Sequence, residues 1–441
     1  MSGAFESFDV VVIGAGAAGL IAATRAAEGG RRTILLEKNR KPGVKILMSG
    51  GTRCNITQAT DNRGIIAAYG AQGPFLHSAL AALSVADTLD LFHAAGLPTK
   101  VEDTGKIFPA SDKATDVLAA LVKRLAKTPG QLALDEAVVG LEPSADGWLV
   151  TTKTRTLLAV KVIVTTGGQS YPGCGTTGDA YDWARRLGHT IITPRPALVP
   201  ITVNVPWVRE LQGVTIPDVY LQVVEPPAGL PVGSNAAPTQ ATAATRKALA
   251  ETILAERRGS LLFAHFGLTG PVALDVSRSV SGHERPHSLS LRCDFLPSIP
   301  RAALEETLRT GLSTAGKKLL LGALVDLLPP VLPRRMIEVL LLAGAIDAQR
   351  NAAEVGKVDR ARLVDLVKRM QIQVSGTRGF AKAEVTAGGI ALGEVDSRTM
   401  QSKLAPNLFL AGEVLDLDGP IGGYNFQAAW STGYLAGQST W

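Results

Sequence analysis

Hydrophobic residues and glycines near the beginning of the chain follow a strand–turn–helix–strand order. The apolar run Asp9–Ile13 predicts a strand, and Gly14–Gly19 predicts a tight turn that opens a helix. A second apolar run, Thr33–Leu36, predicts the next strand and ends at Glu37. This order is typical of a dinucleotide-binding βαβ unit, because the N–H groups and the positive dipole end of a helix N-terminus attract phosphate.

The individual positions of this motif predict separate contacts. Gly14 permits the sharp turn, Gly16 lets the backbone approach a pyrophosphate, and Gly19 lets the helix pack against the strand. Glu37 stands 18 residues after Gly19, where a carboxylate can bind the hydroxyls of an adenosine ribose. The alternative is a glycine-rich turn without a ligand. The predicted cofactor contacts are Gly14, Gly16, Ala17, Ala18, Gly19, Glu37 and Lys38.

Helical and strand patterns alternate up to about Pro194, where the character of the chain changes. Apolar spacing predicts helices over Phe75–Ala95 and Ala114–Lys127, the second capped by Ser111-Asp112. From about Pro194 to Val224, β-branched residues punctuated by proline predict the short antiparallel strands of a barrel-like domain. The remaining assignments are strands at Ala137–Leu141, Trp148–Thr152, Val160–Val164, Leu261–Phe263 and Ser288–Cys293, an exposed loop at Pro226–Thr245, and helices between Ile299 and Arg369.

The last part of the chain returns to β and glycine-rich patterns. Leu408–Leu410 predicts a strand, and a glycine pair opens a final helix from about Phe426 to Gly437. A dinucleotide fold that is interrupted and then completed at the C-terminus is the layout of many flavoproteins. An acid after the strand then reaches the flavin ribityl chain, and N–H groups of the helix stabilise negative charge on the reduced ring; alternatively, the glycines only cap and pack the helix. The predicted contacts are Gly412, Glu413, Gly422, Gly423, Tyr424 and Asn425.

Two further segments combine glycines with hydroxyl or cationic side chains. The stretch 45–55 can lie flat against a ring, where Arg53 contacts phosphate or flavin. Cys54 is either a redox thiol or a small buried side chain beside the cofactor. The strand Val160–Val164 leads into glycines that let the backbone approach a ligand. The cofactor contacts predicted here are Lys45, Ser49, Gly50, Arg53, Cys54, Asn55, Thr166 and Gly167.

Two side chains are candidates for the chemistry itself. Tyr171 lies either near the substrate or at a domain junction. His265 stands among small residues in Phe263–Pro271 and is either an acid/base beside the flavin or a hydrogen-bonded core histidine. Lys382 and Glu384 are further candidates of the same kind. We therefore name His265 and Tyr171 as the catalytic candidates.

Composition narrows the class of protein without naming a substrate. The chain has 441 residues, a net charge of +6, a pI near 9.2 and a mean hydropathy of +0.17. It has no run of roughly 18 apolar residues that could span a membrane and no secretory signal, so a cytoplasmic protein is expected. Three widely spaced cysteines favour a reducing compartment, with no disulfide and no metal site. Basic residues near the phosphate site are interpreted as a solvated face, so nucleic-acid contact is not expected.

Several segments in order resemble one family, the bacterial and archaeal flavoproteins described as NAD(P)/FAD-dependent oxidoreductases or aminoacetone-oxidase-like proteins. The family form close to KxLxSGGGRCN matches Lys45–Asn55, except that Thr52 stands where the family usually has glycine. The resemblance covers both ends and much of the middle of the chain. The matching segments are Val10–Gly19, Lys45–Asn55, Gly105–Asp116, Thr165–Asp179, Phe263–Ser277, Val385–Ile390 and Leu410–Gly437.

The resemblance implies an α/β fold in three parts. These are a Rossmann-like FAD-binding domain of the glutathione-reductase type, an inserted β-barrel-like substrate domain and a small helical domain. The implied boundaries are 1–194 with 371–441, 195–298 with part of 345–370, and 299–345. The resemblance also implies non-covalent FAD, held by Gly14, Gly16, Gly19, Glu37, Arg53, Glu413 and Asn425.

We therefore expect an FAD-dependent oxidoreductase that passes a hydride between a small organic substrate and flavin N5. Only one GxGxxG is present, so NAD(P)H would dock transiently as the electron donor. The alternatives are an amine oxidase that uses O₂, an RNA-modifying flavoprotein, which the pI supports, and a flavin-binding redox sensor without turnover. The sequence names neither the substrate nor the oligomeric state.

Overall fold

The chain forms two compact units in the computed structural model, which describes residues 5–226 and 251–441. Met1–Pro196 and Phe380–Trp441 form one, here called the α/β unit, and Ala197–Gly379 forms the other, here called the barrel unit. Residues 227–245 of the predicted exposed loop lie outside the described residues. The three domain boundaries expected from the sequence stay a prediction.

Helices and strands alternate along the described chain. The strands are β1 (Glu6–Ile13), β2 (Thr33–Leu36), β3 (Thr57–Gln58), β4 (Thr99–Val101), β5 (Lys106–Pro109), β6 (Gln131–Ala133), β7 (Val138–Ser144), β8 (Gly147–Thr152), β9 (Thr156–Val164), β10 (Ile191–Ala197), β11 (Ile201–Val203), β12 (Thr215–Glu225), β13 (Thr252–Ala264), β14 (Gly267–Thr269), β15 (Ser290–Asp294), β16 (Met370–Thr377), β17 (Val385–Ile390) and β18 (Leu408–Leu410). The helices are α1 (Ala17–Glu28), α2 (Val44–Thr52), α3 (Asn62–Ala68), α4 (His77–Ala82), α5 (Val85–Ala94), α6 (Ala114–Ala126), α7 (Asp179–Arg186), α8 (Pro206–Glu210), α9 (Pro271–Ser281), α10 (Arg301–Thr314), α11 (Leu320–Leu327), α12 (Arg334–Ala343), α13 (Lys357–Arg369) and α14 (Tyr424–Gln438).

A mostly parallel sheet forms the centre of the α/β unit, in the order β6-β2-β1-β9-β8-β7 with β18 paired to β9. β1 runs parallel to both neighbours, with Val10 opposite Thr33 on one side and Lys161 on the other. Val10, Val11 and Val12 are fully buried, as expected for a strand covered on both faces. The carboxyl ends of β1, β9 and β18 meet at one edge, where open α/β sheets bind their ligands.

The last helix returns to the first one and joins the two ends of the chain. A Cβ at Gly433 would lie 2.4 Å from the Ala18 carbonyl oxygen, and a Cβ at Gly437 would lie 2.4 Å from that of Ala22. No side chain fits between these backbones, so the two glycines permit the close approach of α14 to α1. The predicted elements at both ends of the chain are confirmed.

Two local predictions in this unit need correction. The helical pattern expected around Phe75–Ala95 is confirmed, but it is divided into the end of a 3₁₀ segment, α4 and α5, because Ser84 caps α5 in a reciprocal capping box with Asp87. The expected cap Ser111-Asp112 does not cap α6, whose N-cap is Lys113. Asp112 instead adopts a φ of +55° and pairs with the Lys100 side chain. A local capping box therefore decided the first place, and an ion pair with a residue 12 positions earlier in the chain holds Asp112 at the second.

Six strands close a barrel in the other unit, in the order β11-β14-β13-β12-β15-β16. Leu221 and Val223 of β12 are fully buried and stand opposite the equally buried Cys293 and Leu291 of β15. Helices α10 to α13 share one hydrophobic core with these strands. The barrel-like domain expected from the β-branched pattern is confirmed, whereas α9 has no counterpart among the predicted elements.

Within residues 5–226 and 251–441, helix length bears on a membrane span, and the grouping of side chains bears on a metal site. No single helix is long and apolar enough to cross a membrane, and the pair Gly70–Ala82 and Val85–Ala94, bent by 42°, meets that requirement only when the two are taken together. In the same part of the chain, no group of three or more His, Cys, Asp or Glu side chains could hold a metal ion.

A buried contact between a histidine and a carboxylate in the α/β unit makes part of the stability depend on pH. His189 hydrogen-bonds Glu394 at 3.0 Å and Ser402 at 2.8 Å, and the Thr190 N–H donates to the same carboxylate at 2.8 Å. Although burial opposes it, the hydrogen bonds from Thr190 and His189 hold the pKa of Glu394 below its usual value. This contribution is therefore present above the ordinary glutamate pKa and is lost as the pH falls through the lowered value.

We expect Glu394→Gln to lower the free energy of unfolding by about 1–2 kcal/mol at neutral pH, since charge-assisted hydrogen bonds are lost. The difference from the wild type should shrink as the Glu394 carboxylate of the wild type becomes protonated in acid. Urea unfolding at a series of pH values measures both effects. Glu142→Gln, at an exposed position, is the control and should match the wild type. A difference that does not vary with pH would contradict this account.

Candidate functional site

The turn after β1 has the shape that a phosphate-binding turn requires. Gly14 has a φ of +101°, and a Cβ there would lie 2.8 Å from the Thr165 carbonyl oxygen. A Cβ at Gly19 would lie 1.9 Å from the Gly14 carbonyl oxygen, so neither position accepts a side chain. Gly16 differs, because a Cβ there would meet nothing within 4 Å. The space beside the N-cap of α1 is therefore open, and a pyrophosphate can approach the N–H groups of Ala17 and the residues after it.

The acid at the end of β2 reaches back to the same turn. Glu37 Oε2 accepts the Ala15 N–H at 2.8 Å, and Oε1 accepts the Asn39 N–H at 2.9 Å. Each oxygen keeps further acceptor capacity, which ribose hydroxyls can use. The neighbouring Lys38 is paired with Asp179 at 2.5 Å. The structure thus places Glu37 at the predicted phosphate turn, while Lys38 is held by another carboxylate.

The end of α2 bends sharply through consecutive left-handed residues. Gly50, Gly51 and Thr52 have φ values of +56°, +66° and +70°. Threonine is strained in this region, which explains why the resembling family usually has glycine at position 52. Ser49, at the start of the bend, donates its hydroxyl to the Ile46 carbonyl at 2.8 Å. After the partly buried Arg53, the chain continues into two buried residues.

These two residues, Cys54 and Asn55, differ in chemistry. Cys54 is fully buried, and burial raises the pKa of its thiol to about 12, so the thiol stays protonated and is a poor nucleophile. Asn55 is 8% exposed, and its Oδ1 atom has no hydrogen-bond partner within the described structure. A buried acceptor without a donor indicates that a ligand completes the site.

Arg53 belongs to a charged cluster beside the small sheet of β3, β5 and β4. Its Nη1 atom lies 2.6 Å from Glu102 and 3.4 Å from Asp112, and its guanidinium lies 4.0 Å from the centre of the Phe108 ring. Lys100 completes the cluster by pairing with Asp112. A contact between Arg53 and the cofactor stays a prediction.

Two side chains and one backbone N–H from distant parts of the chain meet at one carboxylate, that of Glu413. Glu413 Oε2 accepts from Lys45 Nζ at 2.6 Å, and Oε1 accepts from the Ser170 hydroxyl at 2.6 Å. The Thr386 N–H donates to Oε1 at 3.0 Å. Lys45 and Glu413 were predicted from the sequence, whereas Ser170 and Thr386 were missed. Both missed residues lie in segments that resemble the family, which was the available signal.

The remaining predicted glycines of this edge follow β9 and β18. Gly167, after Thr166, has a φ of +74°, and Gly412 has a φ of +76°. The Gly412 N–H donates to the Thr432 hydroxyl at 3.0 Å, and a Cβ at Gly412 would lie 2.9 Å from the Ala18 Cβ. The backbone at Gly412 therefore lies close to α1, as the predicted layout requires.

A glycine pair opens α14 beside β3. Gly422 and Gly423 have φ values of +124° and +93°, and a Cβ at Gly423 would lie 2.5 Å from the Thr57 carbonyl carbon. Gly423 is the N-cap and offers no side-chain acceptor to the first N–H groups of the helix. Asn425 Oδ1 accepts the Gly419 N–H at 2.8 Å, so this predicted cofactor residue holds the preceding loop. The Tyr424 carbonyl accepts the hydroxyl of a buried tyrosine, Tyr69, at 3.1 Å.

The two catalytic candidates lie in different units. In the α/β unit, Tyr171 has a φ of +51°, and burial followed by the charge of Glu384 raises its pKa. In the barrel unit, His265 is exposed in the turn between β13 and β14, and its ring centre lies 5.0 Å from that of Phe266. His265 is therefore not a core histidine. A catalytic role for either residue stays a prediction.

These features fit flavin adenine dinucleotide. Space is open at Gly16, Glu37 keeps acceptor capacity beside the turn, and the buried amide oxygen of Asn55 has no hydrogen-bond partner among the described residues. The α14 N-terminus, with no side-chain cap, can stabilise negative charge on a reduced ring. The fold and the site define the class of protein as one with a Rossmann-like FAD-binding domain.

Comparison with known proteins agrees with this class. Residues 8–439 match the family described as HI0933-like protein Rossmann domain. The chain is 32% identical over 437 residues to the ribosomal RNA dihydrouridine synthase of Escherichia coli (strain K12), with 98% of each chain covered. It is 31% identical over 431 residues to the 3-dehydro-bile acid delta(4,6)-reductase of Clostridium scindens, with 97% of this chain and 98% of that one covered. A solved 3-ketosteroid-delta4-(5alpha)-dehydrogenase of Rhodococcus jostii RHA1 is 15% identical with a TM-score of 0.49, and 100% and 98% of the two chains are covered.

The chain therefore belongs to the HI0933-like family of FAD-dependent oxidoreductases. The predicted fold class, a Rossmann-like FAD-binding domain with an inserted barrel, is confirmed. The predicted kind of enzyme, an FAD-dependent oxidoreductase, is confirmed as well.

Proposed function

We propose that this protein reduces a carbon–carbon double bond conjugated to a carbonyl group, with FAD as hydride carrier and NAD(P)H as electron donor. One observation carries this proposal: two relatives of nearly equal similarity have names that describe different substrates but one kind of bond change. Dihydrouridine is uridine whose ring double bond, conjugated to a carbonyl, has been saturated. A delta(4,6)-reductase of a 3-dehydro bile acid acts on double bonds conjugated to the 3-ketone. The reaction that the two names share therefore supports a proposal for this chain better than either substrate does.

The residues of the chain supply binding, charge and a proton. When bound, FAD supplies hydride transfer at its N5 atom. The cofactor is held non-covalently, with phosphates at the open turn of Gly16 and ribose hydroxyls at Glu37. A hydride added to one carbon of the conjugated bond must be followed by a proton at the other carbon. Tyr171, whose pKa is raised, stays protonated at neutral pH and is the first candidate donor, and His265 is the second.

A small organic enone is the substrate class that we propose, and RNA is the second candidate. The name of the Escherichia coli relative favours RNA, and so does the distribution of charge. Ala197–Gly379 contains 21 Lys and Arg against 16 Asp and Glu and thus carries five of the six net positive charges. Binding of a ribosomal RNA fragment that weakens steeply with rising salt would support the second candidate, and binding of an enone alone would support the first.

Anaerobic stopped-flow measurement of the bound flavin tests donor and acceptor together. We expect NADH or NADPH to bleach the flavin and an enone, such as uridine or a 4-en-3-one steroid, to restore its absorbance without oxygen. The amine-oxidase alternative, which the resemblance to aminoacetone-oxidase-like proteins raised, predicts bleaching by amines and fast recovery with peroxide in air. Flavin that no donor reduces would favour a redox sensor. Protein that stays colourless after FAD is added would contradict the proposal.

A further inference from the structure

Asn55 is a buried polar side chain whose amide oxygen receives no hydrogen bond from the described residues. The residue is 8% exposed, and its Oδ1 atom is buried without a donor. Leaving such a group unpaired is unfavourable, because no hydrogen bond offsets the loss of its contact with water. An amide buried at that cost points to a ligand rather than to packing.

The backbone on both sides fixes the position of this amide. The Cys54 N–H donates to a carbonyl of the preceding bend at 3.1 Å, and the Ile56 N–H donates to the Ile107 carbonyl at 2.8 Å. The Ile56 carbonyl accepts the indole N–H of Trp430 at 3.0 Å. Cys54 and Ile56 are both fully buried, so the backbone that carries Asn55 is held in place before any ligand binds.

The same segment borders the N-terminus of α14. Thr57, two residues after Asn55, lies against the backbone of Gly423. A Cβ at Gly423 would lie only 2.5 Å from the Thr57 carbonyl carbon, so no side chain fits between them. The Thr57 hydroxyl also donates to Gln427 Oε1 at 2.6 Å. A fixed amide and the positive end of a 15-residue helix therefore border one region of the α/β unit. This combination suits a ring with carbonyl oxygens and one N–H.

We propose that the Asn55 amide pairs with an imide edge, the C(=O)–NH–C(=O) group of a pyrimidine-type ring. A carboxamide offers an acceptor and N–H donors, and an imide presents one N–H between two carbonyl acceptors. Two parallel hydrogen bonds form between them, in the way that amide side chains pair with nucleobase edges. The flavin ring carries this edge, and the assignment to it rests on the proposed function. A uracil ring carries the same edge.

The test compares FAD with N3-methyl-FAD, in which a methyl group replaces the imide hydrogen, on the full chain stripped of flavin. In the wild type, N3-methyl-FAD should bind at least about tenfold more weakly than FAD, as measured by fluorescence quenching. Asn55→Ala should bind FAD more weakly than the wild type does, by a similar factor. The methyl group should then cost less than about threefold, because its effect depends on the missing partner.

Asn62→Ala is the matched control. Its side chain lies in α3 and donates to the Leu80 carbonyl at 2.9 Å, so discrimination against N3-methyl-FAD should equal that of the wild type. Asn55→Asp is the second variant should Asn55→Ala fail to fold. Its carboxylate keeps the shape but offers no donor, so FAD should bind more weakly and the flavin midpoint potential should fall at neutral pH.

Uridine and N3-methyluridine, titrated by calorimetry, distinguish the two sources of the imide. If Asn55→Ala no longer distinguishes FAD from N3-methyl-FAD but still distinguishes uridine from N3-methyluridine, the amide pairs with the flavin. If it loses only the distinction between the two uridines, the amide pairs with a uracil of the substrate. Both results support imide pairing. Discrimination that is unchanged in both pairs overturns it. A wild type that binds no FAD would refute the proposed function and leave the uridine pair to decide about Asn55.

Discussion

Gly16→Ala is expected to lower the affinity for FAD at least about 100-fold while the protein still folds. The added methyl group meets no protein atom within 4 Å, and the backbone at Gly16, with φ −82° and ψ −163°, suits alanine. The methyl group instead occupies the space through which a pyrophosphate must approach the N–H groups of α1. A 100-fold loss corresponds to about 2.7 kcal/mol of phosphate contact.

Titration of flavin-free protein with FAD measures this affinity, and thermal unfolding reports on the fold. Gly393→Ala is the matched control, because a Cβ there also meets nothing within 4 Å, and both quantities should stay as in the wild type. Gly19→Ala is the opposite control, since its Cβ would lie 1.9 Å from a carbonyl oxygen and the turn itself would be disrupted. Unchanged FAD affinity in Gly16→Ala would show that the cofactor does not bind at this turn.

Glycines were the part of the candidate site that the sequence predicted most directly. Gly14 requires a positive φ, and Gly19 allows two backbones to touch, and both requirements can be met only by a residue without a side chain. The apolar strands on either side of the motif then fix which elements these glycines join. The shape of the turn could therefore be predicted from the positions of its glycines.

Charged side chains were harder to place, because their partners are distant along the chain. Lys45 and Glu413 were each assigned to the cofactor, and the structure also pairs them with each other across 368 positions. Arg53 was assigned to phosphate or flavin, a contact that stays a prediction, and the sequence did not show that its guanidinium pairs with Glu102. A single sequence shows which residues are charged, but it does not show which of them come within 3 Å.

Local signals failed where a short polar pattern competed with an apolar one. The apolar spacing around Phe75–Ala95 predicted a helical pattern without a break, yet the capping box of Ser84 and Asp87 starts a new helix inside it. In the barrel unit, β-branched residues predicted the strands, whereas α9 lies in a segment that was interpreted for its small residues and His265. Closure of the six strands into a barrel depends on pairing between strands that are distant along the chain. The strand propensity of single residues does not predict which strands pair.

Glu413→Gln is expected to weaken FAD binding at least about tenfold and to lower the free energy of unfolding by about 2 kcal/mol. Glutamine keeps the shape, so its oxygen can still accept the Ser170 hydroxyl or the Thr386 N–H. The negative charge that balances Lys45 is lost, however, and the Lys45 side chain is only 26% exposed. Because both side chains keep some contact with water, this loss lies below that of a fully buried pair.

The double variant Lys45→Met/Glu413→Gln separates the attraction between the two groups from their individual roles. If that attraction dominates, the double variant should lose about 1 kcal/mol less free energy of unfolding than the two single variants lose together, as measured by urea unfolding. Glu136→Gln is the matched control, since it breaks an ion pair of 2.6 Å with Arg155 in the same unit. It should lower stability without changing FAD affinity. A Glu413→Gln protein that behaves like this control would limit the carboxylate to a structural role, because the turn at Gly16 would then hold the cofactor without it.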